Sequence, residues 1–319
     1  MRVPATVVAV LSMMPLLAGG PAWAASVRAW VSGHGVDQAD CGAPTAPCRS
    51  LQYAHDNAVT AGGEIDILDP AGYGALTITK AVSIVNDGVG TAGVQATTGN
   101  AINVNAGPGD NVTLRGLNID GLGAASTGIA FNAGASLTVV NCVIRHFALT
   151  SNFLTGDGIL IDPSSGSVSF LISNVILANN GFYGLTVLPG PSPTIKGSID
   201  HVISANNLGG FYADAGQTAG VTLAISNSVA ANNTSSGVEA KAENSATDII
   251  SIDNSELTGN AYGVFASGSP SVVIGRTVVT ANSVDGIHVG STPVFTLGDN
   301  GVYANVKDVE GTLTSLARQ

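Results

Sequence analysis

The sequence predicts an all-β chain wound as a solenoid of parallel strands, and three observations carry that prediction. First, 41 of the 319 residues are Gly, only 10% are charged and only 5% are aromatic. Helical bundles need Glu, Lys and Arg at helical spacing, so this composition excludes them, and a mean hydropathy of +0.35 excludes a solvated disordered chain. Second, apolar residues come in pairs two positions apart, as in Leu223/Ile225, Ile250/Ile252 and Val272/Ile274, which is the period of a strand. Third, residues 221–240, 249–266 and 272–289 repeat one pattern: an apolar pair, an Asn-rich bend, then Gly followed by apolar-x-apolar.

The elements follow in chain order. Residues 1–24 read as a signal peptide: Arg2, an apolar run from Val7 to Leu17, Gly19-Gly20-Pro21, and the small-x-small triplet Ala22-Trp23-Ala24, with cleavage expected after Ala24. The run falls short of the about 20 residues a membrane span needs, so no transmembrane segment is expected after its removal. Loss of Arg2 leaves ten basic against 22 acidic residues, a balance of −12. That charge gives nucleic acid no footprint. Export places the cysteines in an oxidising compartment, secreted or periplasmic, where Cys41 and Cys48 in CGAPTAPC are expected to form a disulfide. Two thiols without a third ligand make a poor metal site, and none is expected. Cys142, in LTVVNCVI, reads as an inert buried residue.

Residues 25–63 form the expected amino-terminal cap. Within it, 49–62 reads as a short amphipathic helix with Ser50 as N-cap, Gly62-Gly63 as stop and an exposed His55. The β-helix is expected over 64–319, entering through strands at 64–68, 75–79 and 81–85. Aligning the repeats puts Gly116, Asn141, Asn174, His201, Asn227, Asn254, Arg276 and Asp299 in one column, at intervals of 25, 33, 27, 26, 27, 22 and 23. Six residues on, Phe147, Asn180, Asn207, Asn233, Asn260, Asn282 and Asn305 form a second column. In a parallel coil, equivalent residues stack about 4.8 Å apart. Stacked Asn side chains can then donate to one neighbour and accept from the next. A third column holds Gly128, Gly158, Gly184, Gly210, Gly237, Gly263 and Gly286, read as corners that admit positive φ. The charged carboxyl end, which loses this Gly, is expected to end the stack.

Two positions past that Gly, an outward column reads Ala130, Leu160, Thr186, Tyr212, Glu239, Phe265, His288, and two further on Asn132, Asp162, Leu188, Asp214, Lys241, Ser267, Gly290. Tyr212, Phe265 and His288 offer flat rings for sugar packing. Glu239 and Asp214 fall one coil and two residues apart, roughly 8 Å by strand spacing, a separation that suits an inverting glycosidase. Lys241 stands as an alternative proton acceptor. The competing reading is a solvent-facing Asp214–Lys241 ion pair of little energetic consequence. Asp120 and Arg145 fall in one column and are expected to pair, His201 and Arg276 replace Asn in the bend column, and Glu256 interrupts an apolar column (Val143, Ile176, Ile203, Val229, Val278). His146 precedes Phe147 at a bend, and the 33-residue interval is expected to protrude around 150–156.

The segments at 29–58 and 62–85 and the later repeats together resemble the secreted bacterial β-helix proteins of the pectate-lyase-like superfamily, across essentially the mature chain. The resemblance implies a single-stranded right-handed parallel β-helix with a short amino-terminal capping helix. It does not fix function. Of the motifs of the galacturonan hydrolases in that superfamily, only Gly33-His34-Gly35 matches, inside the cap, and the epimerase Asp-Pro-His-Glu is absent, since neither Asp69-Pro70 nor Asp162-Pro163 is followed by His-Glu. No cofactor is expected, with Ca²⁺ left open as a bridge to an acidic glycan although no motif indicates it. Three functions fit. The first is an extracellular or envelope protein that binds polysaccharide or serves a structural role there. The second is a polysaccharide lyase or glycoside hydrolase using Glu239, Asp214 and Lys241, with Tyr212, Phe265 and His288 binding the extracellular glycan. The third is an adhesin-like surface protein.

Overall fold

The computed structural model describes residues 25–150, 155–216, 220–243, 247–291 and 293–317; the expected leader and part of the expected 150–156 protrusion lie outside them. The chain coils into a parallel β-helix, and every pairing between its strands is parallel. Ten strands stack into one sheet, running from Leu76–Ile78 through Tyr183–Val187, Gly209–Asp214, Ser236–Ala242, Tyr262–Gly268 and Asp285–Val289 to Lys307–Glu310. The remaining strands form a twenty-stranded sheet that bends over the other faces of the coil. The coil begins earlier than the repeat pattern shows, since Leu76–Ile78 already pairs with Asn100–Asn105.

Each turn of the coil is bent at residues with left-handed backbone. Asn141, Asn174, His201, Asn227, Asn254 and Arg276 have φ of 56, 54, 54, 49, 47 and 50°. Asn tolerates this region better than most residues, which explains the column. His201 and Arg276 keep the conformation and pair outward with Asp200 and Asp253. The second Asn column is buried and forms the expected ladder, with one difference. Its main links run from backbone to side chain: the N–H groups of Asn180, Asn207, Asn233, Asn260 and Asn282 each donate to the Oδ1 of the next coil's Asn, at 2.8–3.0 Å. Its amides donate mainly to backbone carbonyls, as Asn207 does to Leu177 at 3.0 Å, and only some donate to the next Asn. Asp308 takes the Asn role at the last rung, accepting from the Asn305 N–H at 3.1 Å.

The Gly column corrects the sequence reading. None of Gly128, Gly158, Gly184, Gly210, Gly237, Gly263 or Gly286 has positive φ. Gly is required there by close approach: a Cβ on Gly210 would lie 2.3 Å from the Gly237 carbonyl oxygen, and one on Gly237 would lie 2.8 Å from that of Gly263. The column of Glu256 is likewise outward-facing. Ile176 and Ile203 are 41% and 44% exposed, and Glu256, in register with Val229 and Val278, is exposed among them with no change of register. The inward partners are Ile144, Leu177, Ala230, Leu257 and Val279, all buried.

At the amino end, Cys41 and Cys48 are bonded, and their sulfurs are therefore no thiolate ligands despite the nearby Asp37 carboxylate. Ser50 caps the helix, accepting from the Tyr53 N–H at 3.2 Å. The helix is shorter than expected, Leu51–Tyr53 continued by the wider turn Ala54–Ala58, because Val59–Ile67 is already a strand and Gly62 and Gly63 lie within it. His55 is buried, not exposed: Asp56 bonds its Nδ1 at 2.6 Å and the Thr79 N–H donates to its Nε2 at 3.2 Å. Asp120 and Arg145 are in register and paired at 3.0 Å. Cys142 is buried, and loss of solvent raises its thiol to about 11, which makes it inert.

Among the described residues, two buried carboxyl groups have no charge partner. Asp248 continues the inward column Val168, Ile195, Val221, and neither of its oxygens finds a hydrogen-bond partner; burial raises it to about 7. Asp157 is fully buried beside Thr186, whose hydroxyl donates to Oδ1 at 2.5 Å, while Oδ2 is unpartnered; burial outweighs that bond and raises it to about 8. Both native values lie above the unfolded value of about 3.9, so the folded state holds extra protons. Their contribution is full below about pH 4 and is lost as pH rises through 7 and 8.

Two outcomes follow for stability. Gly210→Ala is expected to cost about 1–3 kcal/mol in urea denaturation, while Gly109→Ala, whose Cβ would meet nothing within 4 Å, is near neutral. Urea midpoints of Asp157→Asn and Asp248→Asn between pH 5 and 8.5 are expected to gain on the parent as pH rises, by at most about 1.4 kcal/mol per unit for each acid. A difference that stays constant with pH would contradict the assignment.

Candidate functional site

The outer face of the ten-stranded sheet brings the sequence-predicted residues together. Thr186, Tyr212, Glu239, Phe265 and His288 are in register on successive strands, and Asp214, Lys241 and Ser267 are in register two positions further on. Alternation puts their side chains outside, between inward-facing pairs such as Phe211 and Ala213 or Val238 and Ala240, which are buried.

A third outward column, one residue before the Gly column, escaped the sequence reading. It holds Thr127, Asp157, Tyr183, Gly209, Ser236, Tyr262 and Asp285, of which Tyr183 pairs with Gly209, and Ser236 with Tyr262 and then Asp285. Its signal was present: polar and aromatic residues alternate with a Gly at a fixed offset from a column already identified. Gly209 is bare because the Tyr183 ring lies over it, and a Cβ there would come within 2.0 Å of that ring.

The two columns are wired to each other. The Tyr183 phenol crosses the Gly209 strand and donates to Glu239 Oε2, which also accepts from the Ser236 hydroxyl at 3.3 Å. Tyr183 stacks on Tyr212 with centroids 5.0 Å apart, and the Tyr212 phenol donates to Asp214 Oδ2 at 2.9 Å. Asp214 accepts further from the Gly216 N–H at 2.8 Å and pairs with Lys241 at 3.3 Å. Lys241 also reaches Glu243 at 3.1 Å. Both phenols are pushed above the ordinary tyrosine range, first by burial and then by the carboxylates they serve. Lys241 is raised, chiefly by its bond to Glu243, and it stays an ammonium at neutral pH.

The aromatic rings are not the free faces expected from sequence. Phe265 and His288 stack with centroids 4.8 Å apart and planes 14° apart, which is the spacing of adjacent coils. Their facing surfaces are therefore spent on each other, and their edges point to solvent. Tyr262 packs edge-on against both rings, and Asp285 fixes His288 through Nδ1 at 2.8 Å. Glu239 and Asp214 have different partners, Glu239 being bonded by Tyr183 and Ser236 and Asp214 by Tyr212, Gly216 and Lys241. Each carboxylate keeps acceptor capacity beyond its present bonds. The arrangement is a ridge of oriented acceptors and ring edges along the coil axis. Among the described residues, the one cluster of three residues spaced for metal binding is Asp37 with the bonded Cys41 and Cys48, away from this ridge.

Comparison with known proteins addresses the architecture. No curated protein matches the chain in sequence. Among solved structures, the crystal structure of pectate lyase Pel9A aligns over 91% of this chain and 78% of its own, with 14% identity and a TM-score of 0.49. A rhamnogalacturonan lyase aligns over 84% and 74%, with 13% identity and a TM-score of 0.35. Residues 157–308 match the family model described as "Right handed beta helix region". Together with the coil itself, that match shows the fold of the chain to be a right-handed parallel β-helix.

Proposed function

We propose that the chain is an extracellular protein that binds polysaccharide along the outer face of its ten-stranded sheet. The observation that carries this reading is the wiring of that face. Glu239 and Asp214 are each held by a tyrosine phenol, so two hydroxyl acceptors are oriented before any ligand arrives. The ridge repeats at the coil spacing, and an extended chain of sugar units can follow it across several strands. The expected leader and the bonded Cys41–Cys48 loop support an extracellular location.

The same wiring argues against the catalytic alternative. A proton acceptor must be free and unprotonated, whereas Lys241 is held as an ammonium between Asp214 and Glu243. The surface is also strongly acidic, which favours neutral over uronic-acid polymers.

A glycan panel read for retention and for new reducing or unsaturated ends tests the proposal. Retention without new ends is expected, with Tyr212→Ala weakening it about fivefold or more and Glu239→Gln preserving most of it. Turnover that disappears in Glu239→Gln would show an enzyme instead.

A further inference from the structure

A second polar surface lies off the sheet face, at the turns that lead into it. An open depression there is lined by Asp120, Leu122, His146, Phe147, Asn179 and Asn206, among others. Backbone pairing places His146, Asn179 and Asn206 at one position in three successive coils. They directly follow Arg145, Ala178 and Ala205, which are in register, and the His146 N–H donates to the Asn179 carbonyl at 3.2 Å. All three adopt the same left-handed backbone, with φ of 60, 57 and 56°. Their side chains therefore leave the coil in a row, about 4.8 Å apart.

These three side chains differ from the buried Asn ladder one residue on. The amides of Asn179 and Asn206 make no hydrogen bond among the described residues, and both are exposed. His146 is held at one end only. Its Nδ1 lies 3.1 Å from Asp120 Oδ1, and because a carboxylate can only accept, the proton sits on Nδ1. Asp120 is itself anchored by the Leu122 N–H at 2.9 Å and by Arg145 Nε at 3.0 Å. Burial alone would raise this carboxyl, but the Leu122, His146 and Arg145 bonds outweigh it and keep it below the usual range. The Asp120 contact through Nδ1 thereby fixes the ring, and Nε2 has no partner among the described residues, in the lining of the depression beside two amides that both donate and accept.

We infer that His146, Asn179 and Asn206 form a second saccharide-binding groove, parallel to the coil axis and specific for an uncharged, hydroxyl-rich glycan. An imidazole nitrogen and two amides in a row match successive sugar hydroxyls, which both donate and accept. Leu122, 51% exposed, offers an apolar wall to a sugar C–H face. Among the described residues no Lys or Arg side chain lines the depression, while the Asp120 carboxylate does, which disfavours an acidic sugar. The groove stands independently of the ridge on the sheet face, since it shares none of that ridge's residues.

The test uses the full chain carrying Tyr212→Ala, which disables the sheet face and leaves the groove intact. Neutral hexasaccharides of xylan, glucan and galactan, and a galacturonan hexasaccharide, are titrated while the His146 ring is followed by long-range ¹H–¹⁵N NMR and affinity by calorimetry. At least one neutral hexasaccharide is expected to shift Nε2 saturably. Asn179→Ala/Asn206→Ala is expected to weaken that binding roughly tenfold, as is His146→Asn, which places in the turn the residue that the next two coils already use. Failure of every neutral hexasaccharide to shift Nε2, unchanged affinity in both variants, or tighter binding of the galacturonan would each overturn the inference. Because the background lacks the Tyr212 ring, none of these results bears on the sheet-face proposal.

Discussion

Every feature of this molecule depends on the hydrogen-bonded register between one coil and the next. In the repeats, strands 22 to 33 residues apart in sequence lie one strand spacing apart in space, so each column of the alignment becomes a physical line. The register is held from three sides: by the parallel ladders, by the buried Asn chain that ties each turn to its successor, and by Gly positions that let the backbones meet. A side chain at the Gly column would push neighbouring coils apart. A lost Asn would leave buried donors and acceptors without partners.

Much of this was legible in the sequence because a solenoid converts a one-dimensional repeat into contacts. The columns containing Tyr212, Glu239, Phe265 and His288, and Asp214 with Lys241, are in register in the fold as aligned. The reading faltered where side-chain direction, not position, decides the outcome. Gly210 and its equivalents were read as corners, but the relevant constraint is a carbonyl in the next coil, which a single repeat cannot reveal. Glu256 looked anomalous because its column is apolar, yet that column faces outward. His55 was read as exposed because an amphipathic helix has a solvent face, but the helix is too short and is covered by the strand entering the first coil. Tyr183 was overlooked because its partner, Glu239, lies two coils away.

The two unpaired acids show a conflict between local chemistry and the repeat. A solenoid admits an occasional misfit because each coil contacts only its neighbours, so the cost stays local. Asp248 interrupts an inward apolar line, and Asp157 lies in the same outward column as Tyr183. The same modularity lets distinct surfaces develop on different faces of one coil. The sheet face carries carboxylates held by phenols, and the turns carry free amides beside an anchored imidazole.

The register itself can be tested most directly with nitroxide labels at Ser198 and Ala224, 26 residues apart in sequence and paired on adjacent strands. Labels at Ser198 and Ser251 probe one coil further along the same column. Strong dipolar broadening is predicted for the first pair, with labels attached about 4.8 Å apart, and weaker coupling for the second at about twice that separation. Absence of broadening at Ser198 and Ala224 in the folded protein would contradict the stacked coil and, with it, both surfaces described above.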